Sequence, residues 1–235
     1  MEVRGARVLV VGATGVIGGA VAAALAARGA SLAVAGRDEA RLARAAERFG
    51  GCPARRCEAY DLDGCAALGA WAAEGLSGLD GVVVTVGSAA FGKAAQTPDA
   101  VAEHLATVNA LAPMAVLRGA LDVLGPGSAV GAVTGVVAER PQPGMADYSA
   151  SKAMLSAWLD AVRREQRART SVLDARLPHL DTGFAGRAVA GEPPRMPAGA
   201  DLDAVVAAVV RGLETGAGVC RPGPGGRMLL DDREV

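Results

Sequence analysis

Tyr148 and Lys152 stand four residues apart with only Ser149, Ala150 and Ser151 between them, and no other pair in the chain is better suited to moving a proton. On a helix such residues share a face. A free phenol ionises near pH ~10, too high for acid–base work at neutrality. An ammonium a few ångströms away favours the phenolate and lowers that value. A phenol tuned in this way can hand a proton to a carbonyl oxygen while a hydride arrives at the carbon. The small residues between the two would let the helix sit tight against its neighbours. Taken alone, the pair reads better as a surface Tyr/Lys contact on an amphipathic helix.

The second feature is Val8-Leu-Val-Val-Gly12-Ala-Thr-Gly15-Val-Ile-Gly18-Gly19. An apolar run over 8–11 reads as a buried strand, and an alanine-rich helical run over 20–28 follows the glycines. A strand that turns through glycines into a helix is the phosphate-holding start of a dinucleotide-binding βαβ unit. Gly12 permits the tight turn, Gly15 lets the backbone approach a pyrophosphate, and Gly18 lets helix and strand pack closely. The first-turn N–H groups are unsatisfied and the helix dipole is positive there, so an anion needs no cationic side chain. The alternative is a plain strand-turn-helix with no ligand.

These features need a scaffold, and 235 residues suffice for one α/β domain with a sizeable core. Hydrophobic residues make up 51% of the chain and the net charge is −1, which gives no electrostatic reason to bind nucleic acid or a membrane surface. No apolar run is read as reaching the ~18 residues of a membrane span. The start of the chain leads straight into the first strand without the pattern of a signal peptide, so the cytoplasm is expected. The cysteines, at 52, 57, 65 and 220, form no CxxC pair, and the histidines, His104 and His179, are far apart. No metal site is expected, and the thiols read as reduced.

Residues 31–35 form a second apolar strand ending in Gly36-Arg37-Asp38. An acidic residue at that strand end would bond the 2′-hydroxyl of NAD, whereas Arg37 favours the 2′-phosphate of NADP. Arg37 otherwise reads as a solvated surface charge. Asp38 caps a helix over 39–49. A more polar third strand over 55–60 is closed by Asp61-Leu62-Asp63. Asp61 sits where a carboxylate could meet the adenine amino group, or is only a turn residue, and Asp63 could cap the next helix, 66–74. The fourth strand, 80–87, is apolar throughout and ends at Gly87. Thr97 as N-cap and Pro98 at N1 begin a helix over 97–122 that carries Asn109 and bends or restarts at Pro113. A fifth strand covers 128–135. A long helix covers 147–167, and a sixth strand 171–177. Pro178 opens an irregular stretch reaching Gly199. Asp201 caps a last helix over 202–215, and a final edge strand is expected around 227–230. Strands alternate with helices from end to end, so the expected fold is α/β: a single-domain Rossmann fold over 1–235, a doubly wound, mostly parallel sheet of six to seven strands with helices on both faces.

Taken together and in order, Gly12, Gly15, Gly18, Asp61, Gly87, Asn109, Tyr148-Ser-Ala-Ser-Lys152, Pro178 and Thr182 make the chain resemble the short-chain dehydrogenase/reductases over nearly its whole length. The resemblance implies Tyr148 as catalytic acid/base. Lys152 would bond the nicotinamide ribose and lower the tyrosine's pKa, and Asn109 would hold a proton-relaying water. It implies cofactor contacts from Gly12, Thr14, Gly15, Val16, Ile17, Gly18, Arg37, Asp61, Leu62, Gly87, Tyr148, Lys152, Pro178 and Thr182, with NADP(H) preferred over NAD(H). A small-molecule substrate would meet Phe91, Met145, His179 and Phe184 under a lid formed by 184–200. A homodimer or homotetramer would be built on helices 97–122 and 147–167, whose alanines include Ala153, Ala157 and Ala161.

Three departures from the family pattern stand out. The loop is spaced GxxGxxG, where the commonest members of this size have GxxxGxG. Val84-Thr-Val-Gly87 stands in place of Asn-Asn-Ala-Gly. Gly135 occupies the position thirteen residues before the tyrosine where the family has a carbonyl-polarising serine. Thr134 would substitute only if the strand end is kinked, because alternation otherwise points it to the other face. The leading expectation is an NADP(H)-dependent oxidoreductase on a carbonyl/alcohol pair. Non-redox proton chemistry by Tyr148 and Lys152, and a catalytically silent NADP(H) sensor, are the alternatives that Gly135 raises.

Overall fold

Strands that are apolar at every position bury both faces, which is what a parallel sheet between two helical layers requires. A computed structural model describes residues 1–234. In it β1 (Arg7–Val11), β2 (Ser31–Gly36), β3 (Ala54–Arg56), β4 (Gly81–Val84), β5 (Ser128–Val133), β6 (Thr170–Ala175) and β7 (Val219–Pro222) pair in parallel in the spatial order 3-2-1-4-5-6-7. β8 (Met228–Leu230) and β9 (Arg233–Glu234) extend that edge antiparallel. Among the described residues the sheet has nine strands rather than six to seven. The expected tail strand is β8; β7 and β9 on either side of it are hidden in the sequence by a proline, glycines and charges.

The helices are α1 (Val16–Ala27), α2 (Glu39–Arg48), α3 (Leu62–Ala66), α4 (Leu68–Gly75), α5 (Asp99–Ala106), α6 (Ala112–Leu121), α7 (Ala146–Gln166) and α8 (Leu202–Thr215). Alternation along β1 divides the core between the two layers. Val8 and Val10 pack with Leu25 of α1 and Val209 of α8. Leu9 and Val11 pack with Leu117 of α6 and Leu155 of α7. The strand order reverses between β1 and β4, and a crevice opens beyond the carboxyl ends of the strands at such a point.

Several local expectations are corrected. β3 is only three residues long and ends at Arg56, because the chain turns at once, with Asp61 N–H bonded to the Glu58 carbonyl. Asp61 rather than Asp63 is the cap: its carboxylate accepts from Gly64 N–H, so helix begins at Leu62 instead of 66. Thr97 is not the N-cap of α5. Pro98 holds that position, and the Thr97 hydroxyl donates to the Lys93 carbonyl at 3.3 Å. The helix expected over 97–122 is α5 and α6 joined by a π-turn, Thr107–Leu111. Pro113 has no N–H to give the Asn109 carbonyl four residues back, and the ladder is re-spaced just before it. Asp99–Leu121 is long and apolar enough on average to pass for a membrane span, but it carries Asp99, Glu103, His104 and Arg118, and 50% of its most apolar 18-residue window lies buried inside the fold, as in a core helix. Asp38 and Asp201 cap α2 and α8 as expected.

Beyond Pro178 the only helical element before α8 is a 3₁₀ turn, Ala185–Arg187. That irregular stretch is stitched to the loop after β4 by Val189 N–H to the Ala89 carbonyl (2.8 Å) and Phe91 N–H to the Ala190 carbonyl (2.9 Å). Gly191, at φ +68°, places its backbone where a Cβ would collide with the Phe91 carbonyl.

Candidate active site

The glycine turn between β1 and α1 has no room for a side chain at Gly12 or Gly18. A Cβ on Gly12, whose φ is +91°, would stand 2.5 Å from Thr85 Oγ1, and one on Gly18 would strike both that hydroxyl and the Gly12 carbonyl. Thr85 locks the arrangement from β4's end by donating to the Val11 carbonyl at 3.0 Å. α1 opens at Gly15 with no side-chain cap and no acidic residue in its first turn. Its leading N–H groups, at Val16 and Ile17, are thus uncapped and can hold an anion. The residues present therefore fit a pyrophosphate.

At the outer end of the crevice, beyond β2, Arg37, Asp61 and Leu62 are exposed. Arg41, one turn into α2, donates to the Thr14 carbonyl. Thr14 packs over Gly36, where an added Cβ would be 3.0 Å from its hydroxyl. Arg56 Nε donates to the Arg37 carbonyl at 3.3 Å. Arg37, Arg41 and Arg56 are thus neighbours at this end, and Arg56 is itself paired with Glu58 at 2.6 Å, with Glu39 farther off at 4.0 Å.

At the inner end a cavity of about 630 Å³ opens over β4, β5 and β6. Its walls include Ile17, Gly87, Thr134, Gly135, Tyr148, Lys152, Pro178 and Thr182, together with all four expected substrate residues, Phe91, Met145, His179 and Phe184. Gly12, Thr14, Gly15, Val16, Gly18, Arg37, Asp61 and Leu62 lie outside it, along the crevice. Tyr148 sits 6.5 Å from the Phe184 ring, centroid to centroid. The Lys152 amine donates to the Val133 carbonyl at 3.1 Å. Gly87 is hemmed between Asn109 and Lys152: an added Cβ would lie 3.3 Å from Asn109 Oδ1 and 3.3 Å from Lys152 Nζ.

Asn109 is fully buried behind Gly87. Its amide accepts from Ser88 N–H (2.8 Å) and donates to the Ser88 carbonyl and to Ser151 Oγ (both 2.9 Å). Ser151 in turn donates to the Tyr148 carbonyl at 2.7 Å. The π-turn and α7 are therefore joined by side-chain bonds just beneath the tyrosine. Neither Ser88 nor Ser151 was expected from the sequence, where each is one more small polar residue.

Burial shifts both reactive groups. It pushes the Tyr148 phenol up to about 12, the reverse of the lowering expected from the lysine alone. It pulls the Lys152 ammonium down to about 8, against an opposing pull from the Asp174 carboxylate. Loss of hydration sets the direction of both shifts, and among the described residues Asp174 is the one group that opposes it.

Thr134 does not supply the missing hydroxyl. It is 2% exposed, and its Oγ1 donates to Asp174 Oδ1 at 2.5 Å. Gly135, at φ +144°, supplies the kink, but Thr134 keeps the orientation that strand alternation gives it. Asp174 is itself fully buried on β6 and also accepts from Ser156 Oγ and Arg176 Nε, each at 2.6 Å. Arg176 continues to Glu139. This network was missed in the sequence; its signal was a carboxylate inside the otherwise apolar run of β6.

A family model described as short chain dehydrogenase matches residues 6–187. A short chain dehydrogenase/reductase from Burkholderia phymatum, solved in complex with NAD, superposes with TM-score 0.84 at 17% identity, covering 94% of this chain and 90% of its own. An alcohol dehydrogenase from Thermococcus sibiricus complexed with 5-hydroxy-NADP gives 0.78 at 22% identity, covering 88% and 89%. A short chain dehydrogenase from Burkholderia cenocepacia J2315 in complex with NADP gives 0.77 at 24%, covering 91% and 92%. No protein of curated function matches the sequence.

Proposed function

We propose, from the premise that this chain belongs to the short-chain dehydrogenase family and is an NAD(P)-dependent oxidoreductase of that type, that it uses NADP(H) to interconvert a small-molecule carbonyl and its alcohol, with Tyr148 as the acid/base. The carrying observation is the cavity: Tyr148, Lys152 and Gly87 line it together, and Ile17, in the first turn of the helix after the glycines, lines it too. Bound NADP(H) supplies or accepts the hydride. Tyr148 Oη donates the proton to the carbonyl oxygen during reduction and takes it back during alcohol oxidation. Burial keeps the phenol protonated at neutral pH, which favours reduction there and moves oxidation to higher pH. Lys152, with its amine held near Val133 and Gly87, orients the ribose and supplies the positive charge that eases proton loss from Tyr148. Asn109 braces Ser88 and Ser151, and so the loop after β4 and α7 together.

Arg37, with Arg41 and Arg56 close by, is the observation behind the NADP preference, since a guanidinium pairs well with a 2′-phosphate. Residues 184–200 act as the lid, bonded as they are to the loop after β4. The exposed Ala157 and Ala161 of α7 leave a flat face on which a second copy of the chain packs. The test is titration of the protein with NADPH and NADH followed by a panel of carbonyl compounds. The expected result is tighter binding of NADPH and its consumption with part of the panel; absence of binding of either nucleotide overturns the reading. Gly135 favours a second reading, in which Tyr148 and Lys152 carry out proton chemistry without net redox change or the chain only senses NADP(H). Tight binding with substrate turnover but constant nicotinamide absorbance would select the first of these, and binding with no turnover the second.

A further inference from the structure

We propose that Cys57 and Cys65 are a redox-active dithiol that closes to an intramolecular disulfide at the outer end of the cofactor crevice. Their sulfurs are 3.5 Å apart, on either side of the turn that carries Tyr60, Asp61 and Leu62. Cys57 is half-buried at the end of β3, and Cys65 is buried near the end of α3. Cys65 Sγ donates to the Glu58 carbonyl at 3.4 Å and lies within hydrogen-bond distance of Cys57 Sγ. The bond from Cys65 lowers the Cys57 thiol, with Arg55 acting in the same direction and Glu58 and Asp61 against it. The roles are therefore unequal: Cys57 is the less buried and more acidic sulfur, and Cys65 is the resolving one. Cys52 and Cys220 have no such partner, and burial raises both thiols.

The oxidant is a hydroperoxide or a small disulfide. With a hydroperoxide, the Cys57 thiolate attacks the peroxide oxygen and forms a sulfenic acid, releasing water or an alcohol. The Cys65 sulfur then attacks the Cys57 sulfur, the S–S bond forms, and the hydroxyl leaves as water once protonated. The two thiols lose two electrons and two protons, and the peroxide bond takes up both electrons. With a small disulfide, Cys57 first forms a mixed disulfide and Cys65 displaces the second thiol. Closure requires the sulfurs to approach from 3.5 Å to the ~2.05 Å of a disulfide, which removes the Cys65 bond to Glu58. The segment that moves starts α3 and includes Asp61 and Leu62. It is also pinned at Tyr60, whose hydroxyl bonds His104 Nδ1 at 2.7 Å, while His104 Nε2 bonds Ser88 Oγ at 2.9 Å. Strain in the turn is thereby passed to the residue after Gly87.

The test is brief treatment of the reduced protein with hydrogen peroxide or glutathione disulfide, followed by alkylation under denaturing conditions and peptide mapping. The expected result is a Cys57–Cys65 crosslinked peptide with Cys52 and Cys220 alkylated. Cys65→Ser stops at a sulfenic acid or a glutathione adduct on Cys57, and Cys57→Ser gives neither. Free thiols at both positions, or oxidation spread equally over Cys52, overturn the dithiol. The crosslinked enzyme is expected to show a several-fold higher KM for NADPH with kcat unchanged, a consequence that rests on the cofactor reading above. A crosslink with an unchanged KM overturns that coupling, whereas failure of the reduced protein to bind NADPH would overturn the cofactor reading and leave the crosslink as its own result.

Discussion

The two ends of the crevice are built from different material. Around the turn from β1 into α1 the surface offered to a ligand is main chain, with glycines at the points of closest approach and Thr85 as the buttress. Over β5 and β6 the surface is side chain, held by buried polar bonds: Asn109 to Ser151, Lys152 to Val133, and Asp174 to Thr134, Ser156 and Arg176. The first arrangement suits a group that every turnover presents unchanged. The second places a proton donor, and a side-chain constellation can be altered residue by residue without disturbing the glycine turn. The two ends should therefore fail independently.

Tyr148→Phe gives the largest separation. It should lower kcat by roughly 10²–10⁴-fold while NADPH affinity, measured by fluorescence, stays unchanged; loss of both together would break the comparison. Asp174→Ala comes next. It removes a fully buried carboxylate that holds three donors and should cost about 3–5 kcal/mol in urea unfolding, with Asp174→Asn milder.

The third test is pH. Lys152 is held at about 8 against an ordinary 10.5, so between those values the unfolded chain binds more protons and folding stability rises with pH. Tyr148, pushed up to about 12 from 10, acts in the opposite sense, its contribution being lost above pH 10. Stability should thus climb by roughly 2–3 kcal/mol from the neutral side of 8 towards 10 and then fall again as Tyr148 loses its contribution, and Lys152→Met should remove the climb but not the fall. The smallest effect is at the outer end. Arg37→Ala should raise the KM for NADPH about tenfold, the worth of one charge-assisted bond, and leave the KM for NADH unaltered. An equal change in both would mean that Arg37 reads something other than the phosphate.

The same division explains what was legible in the sequence. β1 and β2 are short apolar runs ended by glycines, β4 stops at Val84, three residues short of the expected Gly87, and α8 lies residue for residue where its pattern predicts, between its aspartate cap and the left-handed Gly216. Spacing alone locates the glycine turn and the pair on α7. The side-chain network is far less visible, since its members are distant in the chain and each has an ordinary local reading. Asp174 sits inside an apolar strand, Thr134 resembles a substitute donor, and Ser88 reads as loop. The tail is obscure for another reason: β7 to β9 are held by pairing across a proline- and glycine-rich turn, and so carry little periodicity of their own.

The π-turn at Thr107–Leu111 makes the helix through Asn109 one residue longer than its α-helical register requires. Length at that point is therefore angular information. Removing a single residue from the turn would restore a continuous α-helix and leave the faces of α5 and α6 where they are, because the turn is what absorbs the extra residue. Only the side chains within the turn would be re-aimed, and Asn109 would lose its bonds to Ser88 and Ser151 while α6 kept its seat on the sheet. A one-residue deletion there would be a re-aiming of the site with every side chain still present.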